Sequence, residues 1–348
     1  MVKNPIKYDS EVIIGENIEN TFKLPDASAS PTTLYGPRGI FVKDNITVVA
    51  DTGNHRVLIW FSIPKPQQPA DIVLGQPDFF SDSVNAGGNI EKGMFMPTGI
   101  FITDDKKLFV ADAWNHRILM WESLPDENFK KPDHIIGQPD LRSTEKNLFF
   151  WCFGVLEKNG KFFVCDTGNR RILEWKTIPD NLDKPDEIYT GFMWPHSISV
   201  SKNNYFVADA GTGVSKVYMF KENLKNAKNF DLSFADKEGC GKCKLNLPYG
   251  VSSNSDIVAV ADTSNNRVLL FEDNIKEPID VLGQHSFEEC GENRWEGVKK
   301  DTLCWPYAVH VDSKNNIFIA DTGNNRIILF KSIHGGKQNV SINTIKNS

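Results

Sequence analysis

One phrase recurs six times along this chain: a short apolar run, an aspartate, a turn, in most copies a basic residue, and a second apolar run. The aspartates that end the first run lie 43 to 61 residues apart. Repeats of this length built from short β-type runs are typical of propellers and solenoids. The phrase therefore describes scaffold, and a specific function must depend on residues that differ between copies. The six aspartates are Asp51, Asp112, Asp166, Asp209, Asp262 and Asp321.

Each repeat divides into four predicted strands. Five repeats open with Pro, a variable residue, a small residue and an apolar run, as at Pro37, whereas the third opens with Cys152. Pro at the first residue of a strand loses no ladder hydrogen bond. The run that ends in Asp comes next, and in the Asp-x-Gly-Asn turn we expect Gly to adopt the positive φ. A strand rich in β-branched residues and a fourth strand with a Gly-Gln signature complete the unit.

Six such units predict an all-β chain that forms a six-bladed β-propeller of four-stranded antiparallel blades. The sixth unit lacks a Gly-Gln strand, but residues 11–15 at the N-terminus resemble one. We expect this segment to be the outer strand of the last blade, which would leave no open sheet edge in the ring. The prediction is a single domain over 1–348, with blades at about 37–331 and a tail at 332–348.

The tripeptide Asn-His-Arg at 54–56 and again at 115–117, each with an aspartate three positions before the Asn, resembles the NHL repeat. The resemblance covers about 300 residues and implies a propeller scaffold, which hosts many unrelated activities. One NHL relative, the peptidyl-hydroxyglycine lyase domain, binds zinc through several histidines, and here only His196 stands at a comparable rim position. The fourth repeat lacks the Asn and Arg after Asp209, so we expect its blade to be the least regular.

Composition and charge disfavour several functions. The hydrophobic fraction is 40% with no long apolar stretch, which excludes a transmembrane helix. The first ten residues lack the apolar centre of a signal peptide, so we expect a cytoplasmic protein. Some NHL propellers bind RNA through a basic face. The net charge of −6 and the scattered Lys and Arg residues argue against nucleic acid as a partner here.

The repeated polar residues are interpreted as structural. Copies of Asp51 and Arg56 recur around the ring and cannot all be catalytic. We expect turn hydrogen bonds from the aspartates and salt bridges between blades from the arginines. His55 and His116 lie in the same turns and are interpreted as ordinary hairpin residues.

The residues around each strand entry vary, and in a propeller these entries surround the mouth of the central channel. An aromatic ring with one Arg and one His has the character of a ligand pocket, which is apolar with few polar groups. The alternative is that these bulky side chains simply fill the channel. The residues after the entry position are Arg38, Thr98, Phe153, His196, Tyr249 and Tyr307, and the large residues before it are Met96, Trp151, Trp194 and Trp305.

The loops that lead to these entries differ in length. Those before blades five, six, one and two are long, so we expect them to crown one side of the top face. Binding residues often lie on such loops. The four loops are 16–36, 78–96, 230–247 and 284–305, and their apolar residues include Phe79, Phe80, Phe287 and Trp295.

Four loop cysteines are candidates for a metal site. Cys240 and Cys243 form a C-x-x-C pair in one loop, and Cys290 and Cys304 lie in the next. Four thiolates from neighbouring loops could bind zinc or iron, although the spacing matches no standard zinc module. Disulfides, which are rare in a reducing cytoplasm, a redox-active C-x-x-C and unconnected thiols are the alternatives.

A second arrangement uses other donors. The entry cysteines Cys152 and Cys304 belong to opposite blades and could face each other across the channel, with His196 and His285 completing a central metal site. Cys165 replaces the Ala of the repeat and is interpreted as a buried small residue.

Two functions remain open from the sequence. The first is a binding scaffold whose loop-crowned top face holds a peptide, a protein or a small molecule. The second is a metal-dependent lyase or hydrolase that uses top-face Cys or His ligands to polarise a carbonyl or activate water.

Overall fold

The computed structural model describes residues 6–16, 26–234, 237–272 and 276–333. Six four-stranded antiparallel sheets follow one another along the chain, which confirms the predicted six-bladed propeller. In blades one to three the strands are β2 Gly39–Lys43, β3 Ile46–Asp51, β4 Arg56–Trp60, β5 Ile72–Leu74; β6 Pro97–Ile102, β7 Leu108–Asp112, β8 Arg117–Trp121, β9 His134–Ile136; and β10 Cys152–Lys158, β11 Lys161–Asp166, β12 Arg171–Trp175, β13 Glu187–Tyr189.

Blades four to six repeat this order. Their strands are β14 Pro195–Ser201, β15 Asn204–Gly211, β16 Val214–Lys221, β17 Leu232–Phe234; β20 Pro248–Ser253, β21 Val258–Asp262, β22 Arg267–Phe271, β23 Asp280–Leu282; and β24 Pro306–Val311, β25 Ile317–Asp321, β26 Arg326–Ile333. A short parallel pair, β18 Lys237–Glu238 and β19 Lys244–Leu245, lies between blades four and five.

The N-terminal strand closes the ring. Strand β1, Lys7–Ile14, pairs antiparallel with β26 and is the outer strand of blade six. It begins four residues before the predicted segment 11–15, because the ladder continues to Lys7 opposite Ile333. Of the predicted tail, residues 334–348 lie outside the described part of the chain.

Helical structure is limited to single turns, and within the described ranges no helix is both long and apolar enough to cross a bilayer. These turns are Thr52–Asn54, Asn85–Gly88, Ala113–Asn115, Thr167–Asn169, Ala227–Asn229, Thr263–Asn265, Glu292–Trp295 and Thr322–Asn324.

The apolar core is a ring of six clusters, each between two adjacent blades. In the cluster between blades one and two, Val48 and Ile59 of the first pack with Leu108 and Trp121 of the second. Side chains that alternate along each strand therefore pack against the blade on one side and the blade on the other, as the period-2 pattern of a strand requires. The blades stabilise one another through these clusters. The inner strand of each blade lines the central channel.

The repeated Asp and Arg form a buried pair inside one hairpin. In blade one the Arg56 Nε donates to Asp51 Oδ2 at 2.7 Å, and both side chains are fully buried. The Asp51 Oδ1 accepts the backbone N–H of Tyr35 at 2.6 Å, and its Oδ2 also accepts from Asn54 Nδ2. The expectation that these arginines bridge two blades is therefore wrong, because the antiparallel register places Arg56 directly opposite Asp51. The equivalent pairs are Arg117–Asp112, Arg171–Asp166, Arg267–Asp262 and Arg326–Asp321.

Hydrogen bonds between blades come from other residues of the same turn. The Thr52 hydroxyl donates to the carbonyl of Pro97, the entry residue of the next blade, at 2.7 Å. The Met96 N–H donates to His55 Nδ1 at 3.2 Å, and the Trp151 N–H donates to His116 Nδ1 at 3.1 Å. The histidines of the Asn-His-Arg stretches therefore connect neighbouring blades, a role that the sequence interpretation missed.

The positive φ of the turn falls on this connecting residue and not on the Gly. His55 has φ 54°, whereas Gly53 has an ordinary negative value. Gly53 is needed for space, because a Cβ there would lie 2.5 Å from the ring of Tyr35. The predicted role of this Gly is therefore corrected from backbone conformation to close packing.

Blade four departs from the repeat by lengthening its hairpin. The strands β15 and β16 continue the ladder to Gly211 opposite Val214, where the other blades have a helical turn. The ladder of hydrogen bonds is continuous, so blade four differs from the other blades in its hairpin turn and keeps a regular sheet. Its aspartate, Asp209, is buried and accepts backbone N–H groups from Met193 and Trp194, but among the described residues it has no Arg partner.

A pH-dependent stability difference is expected at Asp209. Burial raises the pKa of Asp209 to about 6, although the N–H groups of Met193 and Trp194 oppose the shift. Since the folded pKa is above the unfolded value, ionisation of Asp209 costs stability as the pH rises from about 4 through 6. We expect Asp209→Asn to be more stable than wild type by roughly 1–3 kcal/mol at pH 7.5 and nearly equal at pH 4, measured by urea unfolding. A constant difference at both pH values would contradict this assignment.

Candidate functional site

Four entry residues form an aromatic floor at the top of the channel. The His196 ring stacks on Phe153 at 5.0 Å between centroids and lies 4.3 Å from Tyr249. Tyr249 in turn packs on Tyr307 at 4.6 Å. The same four residues line both the channel below them and an open depression above them.

The depression, which we call the cup, has a volume of about 450 Å³. This size falls within the range of small-molecule sites. Its side chains are the floor residues Phe153, His196, Tyr249 and Tyr307, the wall tryptophans Trp114, Trp151, Trp194 and Trp305, Arg38 at one side, and the threonines Thr167 and Thr322.

Electrostatically the floor is neutral apart from Arg38. Burial lowers the pKa of His196 to about 3, and the charge of Arg38 adds to this effect. Burial also raises the pKa of Tyr307, whose hydroxyl lies 3.3 Å from His196 Nδ1. The neutral imidazole leaves its buried Nε2 without a hydrogen-bond partner among the described residues. The Arg38 guanidinium lies over the Tyr307 ring, 4.9 Å from its centroid.

The walls of the cup are indole side chains that remain partly exposed to solvent. Trp194 is 42% exposed and Trp305 is 46% exposed. Trp151 and Trp305 have positive φ values of 51° and 48°, a conformation that costs a non-glycine residue roughly 1–2 kcal/mol. Their backbone N–H groups are held by the connecting residues His116 and Asn266 of the preceding blades. The same positive φ recurs at the equivalent positions of other blades, so it belongs to the repeat, and the exposure of the indoles is what distinguishes this surface.

Trp114 is a cup residue that the sequence interpretation missed. It replaces the Gly of the repeated turn in blade two, and its ring lies 5.7 Å from that of Trp151. The signal was present in the sequence, since Ala-Trp-Asn stands where four of the other five turns read Thr-Gly-Asn or Thr-Ser-Asn. A bulky aromatic residue at a position that otherwise holds Gly or Ser indicates a locally open space.

Thr98 belongs to the channel below and not to the cup. It is buried, and its hydroxyl donates to the carbonyl of Phe153 in the next blade at 3.1 Å. Met96 has the same positive φ as the wall tryptophans, but its side chain is not part of the cup lining. The rim positions of blade two therefore serve the scaffold.

The structure does not bring the four loop cysteines together. Cys240 and Cys290 form a disulfide between the loops before blades five and six, with their Cα atoms 6.2 Å apart. Cys243 is free and exposed, and Cys304 is free and buried. The disulfide was the disfavoured alternative, and it uses one thiol from each of two loops that the ring places side by side.

The second proposed donor set is also dispersed. The Cys152 Sγ is buried against the carbonyl of Arg117, and Cys304 packs beside Gly323. His285 lies at an exposed position where it pairs with Glu296. Across the described residues, no group of three or more His, Cys, Asp or Glu side chains is placed to hold a metal ion.

The long loops contribute apolar residues in two ways. Phe79 and Phe287 pack against the core clusters, whereas Phe80 and Trp295 are largely exposed. Residues 17–25 of the loop before blade one and residues 235–236 of the loop before blade five lie outside the described part.

Comparisons with known proteins support the fold. No family model matches the chain, and no curated protein sequence matches it. Among solved structures, the WD40 β-propeller domain of Doa1 is 9% identical with a TM-score of 0.52, and the match covers 87% of this chain and 96% of that one. Streptogramin B lyase is 10% identical with a TM-score of 0.52, covering 94% of this chain and 98% of the other. At these identities the likeness establishes the β-propeller architecture alone.

Proposed function

We propose that this chain is a binding module whose cup holds a ligand on a rigid propeller. The observation that carries the proposal is the set of wall indoles around an aromatic floor, two of them more than two-fifths exposed. Apolar surface exposed to water is unfavourable, so a ligand that covers these tryptophans gains binding free energy from burying them. Aromatic anchors in a concave site are also the residues that contribute most to binding energy in known interfaces.

The scaffold is suited to this role because nothing in the cup depends on a free loop. Trp151 and Trp305 are fixed through their backbone N–H groups, and Trp194 is fixed by the Asp209 carboxylate at 2.6 Å. A preformed site loses little conformational entropy when a ligand binds. We also propose that this chain belongs to the NHL-repeat group. The proposal is supported by the Asn-His-Arg stretches at 54–56 and 115–117.

The alternative function, a metal-dependent lyase or hydrolase, has no specific observation in its favour. The candidate donors Cys240, Cys243, Cys290 and Cys304 are separated as described above. A ligand, peptide or protein bound without turnover is the function that the cup supports best.

The expected cytoplasmic location also stays a prediction. The Cys240–Cys290 disulfide argues against it, because structural disulfides are rare in a reducing cytosol.

Binding to the cup is testable with a neutral aromatic probe, N-phenyl-1-naphthylamine, whose fluorescence rises when it leaves water. We expect wild type to bind it and the double variant Trp194→Ala/Trp305→Ala to bind it about ten-fold more weakly or worse, because two of the four wall indoles are lost. The matched control is Trp295→Ala, which removes an exposed tryptophan that lies outside the cup lining. Equal binding by wild type and the double variant, with both folded by circular dichroism, would contradict the proposal.

A further inference from the structure

The cup carries one fixed charge. Of the described side chains that line it, only Arg38 is charged, since His196 is neutral and the others are aromatic or hydroxyl groups. A guanidinium remains protonated at any ordinary pH. No Asp or Glu lines the cup within the described ranges.

Arg38 also has no internal counter-ion. Across the part of the chain that the structure describes, it forms no ion pair. Its guanidinium lies over the Tyr307 ring and also forms a hydrogen bond with the Tyr307 hydroxyl, which is a neutral group. The repeat arginines differ in this respect, since each pairs with a buried aspartate, as Arg267 does with Asp262. A half-buried cation beside apolar surfaces is costly unless an anion is available to it. The Arg38 guanidinium is therefore available to pair with an anionic group of a ligand.

The rest of the cup favours a flat apolar body. Trp194 and Trp305 are partly exposed, and the floor is made of Phe153, Tyr249 and Tyr307 with the neutral His196. Aromatic rings stack well on such surfaces. Arg38 stands at the side of this floor, so one molecule can cover the rings and reach the guanidinium.

We infer that the ligand of the cup is a small aromatic organic anion, with a flat ring system against the tryptophans and one carboxylate, sulfonate or phosphate group at Arg38. This inference rests on the proposed binding function and adds the chemical class of the ligand. The guanidinium is suited to it because its planar donors match the oxygens of such groups. The apolar walls exclude water and strengthen the charged hydrogen bonds.

A matched pair of probes tests the inference. 8-Anilinonaphthalene-1-sulfonate carries the same rings as N-phenyl-1-naphthylamine and adds one anionic group. We expect wild type to bind the sulfonate about ten-fold or more tightly than the neutral probe, because a hydrogen bond to a charged group is gained. In Arg38→Met the preference should disappear, because binding of the sulfonate should weaken about ten-fold more than binding of the neutral probe.

Two controls separate local from general effects. Arg170→Met removes the same charge from an exposed turn outside the cup lining and is expected to leave the preference unchanged. Trp194→Ala/Trp305→Ala should weaken both probes, which places them in the cup. Benzyltrimethylammonium, a cation that aromatic cages can bind, should not compete with the sulfonate.

The two proposals fail in different ways. If neither probe depends on Trp194 and Trp305, the binding function of the cup is wrong. If both depend on the tryptophans but bind equally well, or if Arg38→Met affects both alike, the cup binds ligands and the anionic class is wrong. Effective competition by benzyltrimethylammonium would also overturn the anionic class.

Discussion

Replacing Arg267 by methionine is expected to lower the free energy of unfolding by about 3–5 kcal/mol, because it leaves a buried carboxylate without its partner. Arg267 and Asp262 are both fully buried, with Nε and Oδ2 2.8 Å apart. The Arg267 NH2 group also donates to the carbonyls of Gly241 and Lys244, and NH1 donates to that of Phe287. The variant therefore loses one ion pair and the attachment of two top-face loops.

The measurement is equilibrium unfolding in guanidinium chloride, followed by circular dichroism. The matched control is Lys216→Met, because Lys216 lies opposite Asp209 in blade four as Arg267 lies opposite Asp262 in blade five. No ion pair joins Lys216 to Asp209 among the described residues, so we expect a change within about 0.5 kcal/mol. Equal losses in the two variants would contradict the role given to the buried pair.

A further double variant separates the charge from the loop contacts. Adding Asp262→Asn to Arg267→Met removes the uncompensated carboxylate but not the unpaired carbonyls of Gly241 and Lys244. We therefore expect it to recover part of the lost stability and not all of it.

Reducing the Cys240–Cys290 disulfide is expected to destabilise the protein by up to about 4 kcal/mol. The bond closes a loop with a sequence separation of 50 residues, and restricting a chain of that length in the unfolded state accounts for this amount in the chain-entropy model. It also connects the loops before blades five and six, and both of these loops accept hydrogen bonds from Arg267. Thermal unfolding with and without tris(2-carboxyethyl)phosphine measures the effect.

Two cysteine variants make the assignment specific. Cys290→Ser should unfold at the lower temperature without reductant and should not respond to it. Cys243→Ser is the control, because Cys243 is a free exposed thiol of the same C-x-x-C pair, and it should behave as wild type. In denaturant, protein prepared without reductant should show four titratable thiols, those of Cys152, Cys165, Cys243 and Cys304. Six thiols under these conditions would show that the disulfide does not form.

The repeat predicted much of the scaffold because its signals are local. Apolar runs of period 2, the Asp turn and the entry Pro each determine a few neighbouring residues, and six copies give six blades. The closing strand was found for the same reason, since residues 11–15 resemble the Gly-Gln strand. Errors arose where partners came from elsewhere. The turn Gly proved to make room for Tyr35, and His55 proved to hold the next blade.

The cup shows the same division. Phe153, His196, Tyr249, Tyr307 and Arg38 could be proposed from their positions in the repeat, because equivalent entries in a ring must surround its axis. Trp114 was missed because its turn was interpreted as scaffold, although its departure from the repeat is visible in the sequence; its packing against Trp151 places it in the wall.

The sequence by itself determined the kind of fold, the number of blades and the residues at each strand entry, because these depend on short-range pattern and on symmetry. The tertiary structure decided which cysteines pair, that no described Arg or Lys forms an ion pair with Asp209, and why Arg38 is the one charge among the described side chains of the cup. Those outcomes depend on distances between segments far apart in the chain. Ring closure sets these distances, and it places Arg38 of the first blade beside Tyr307 of the last.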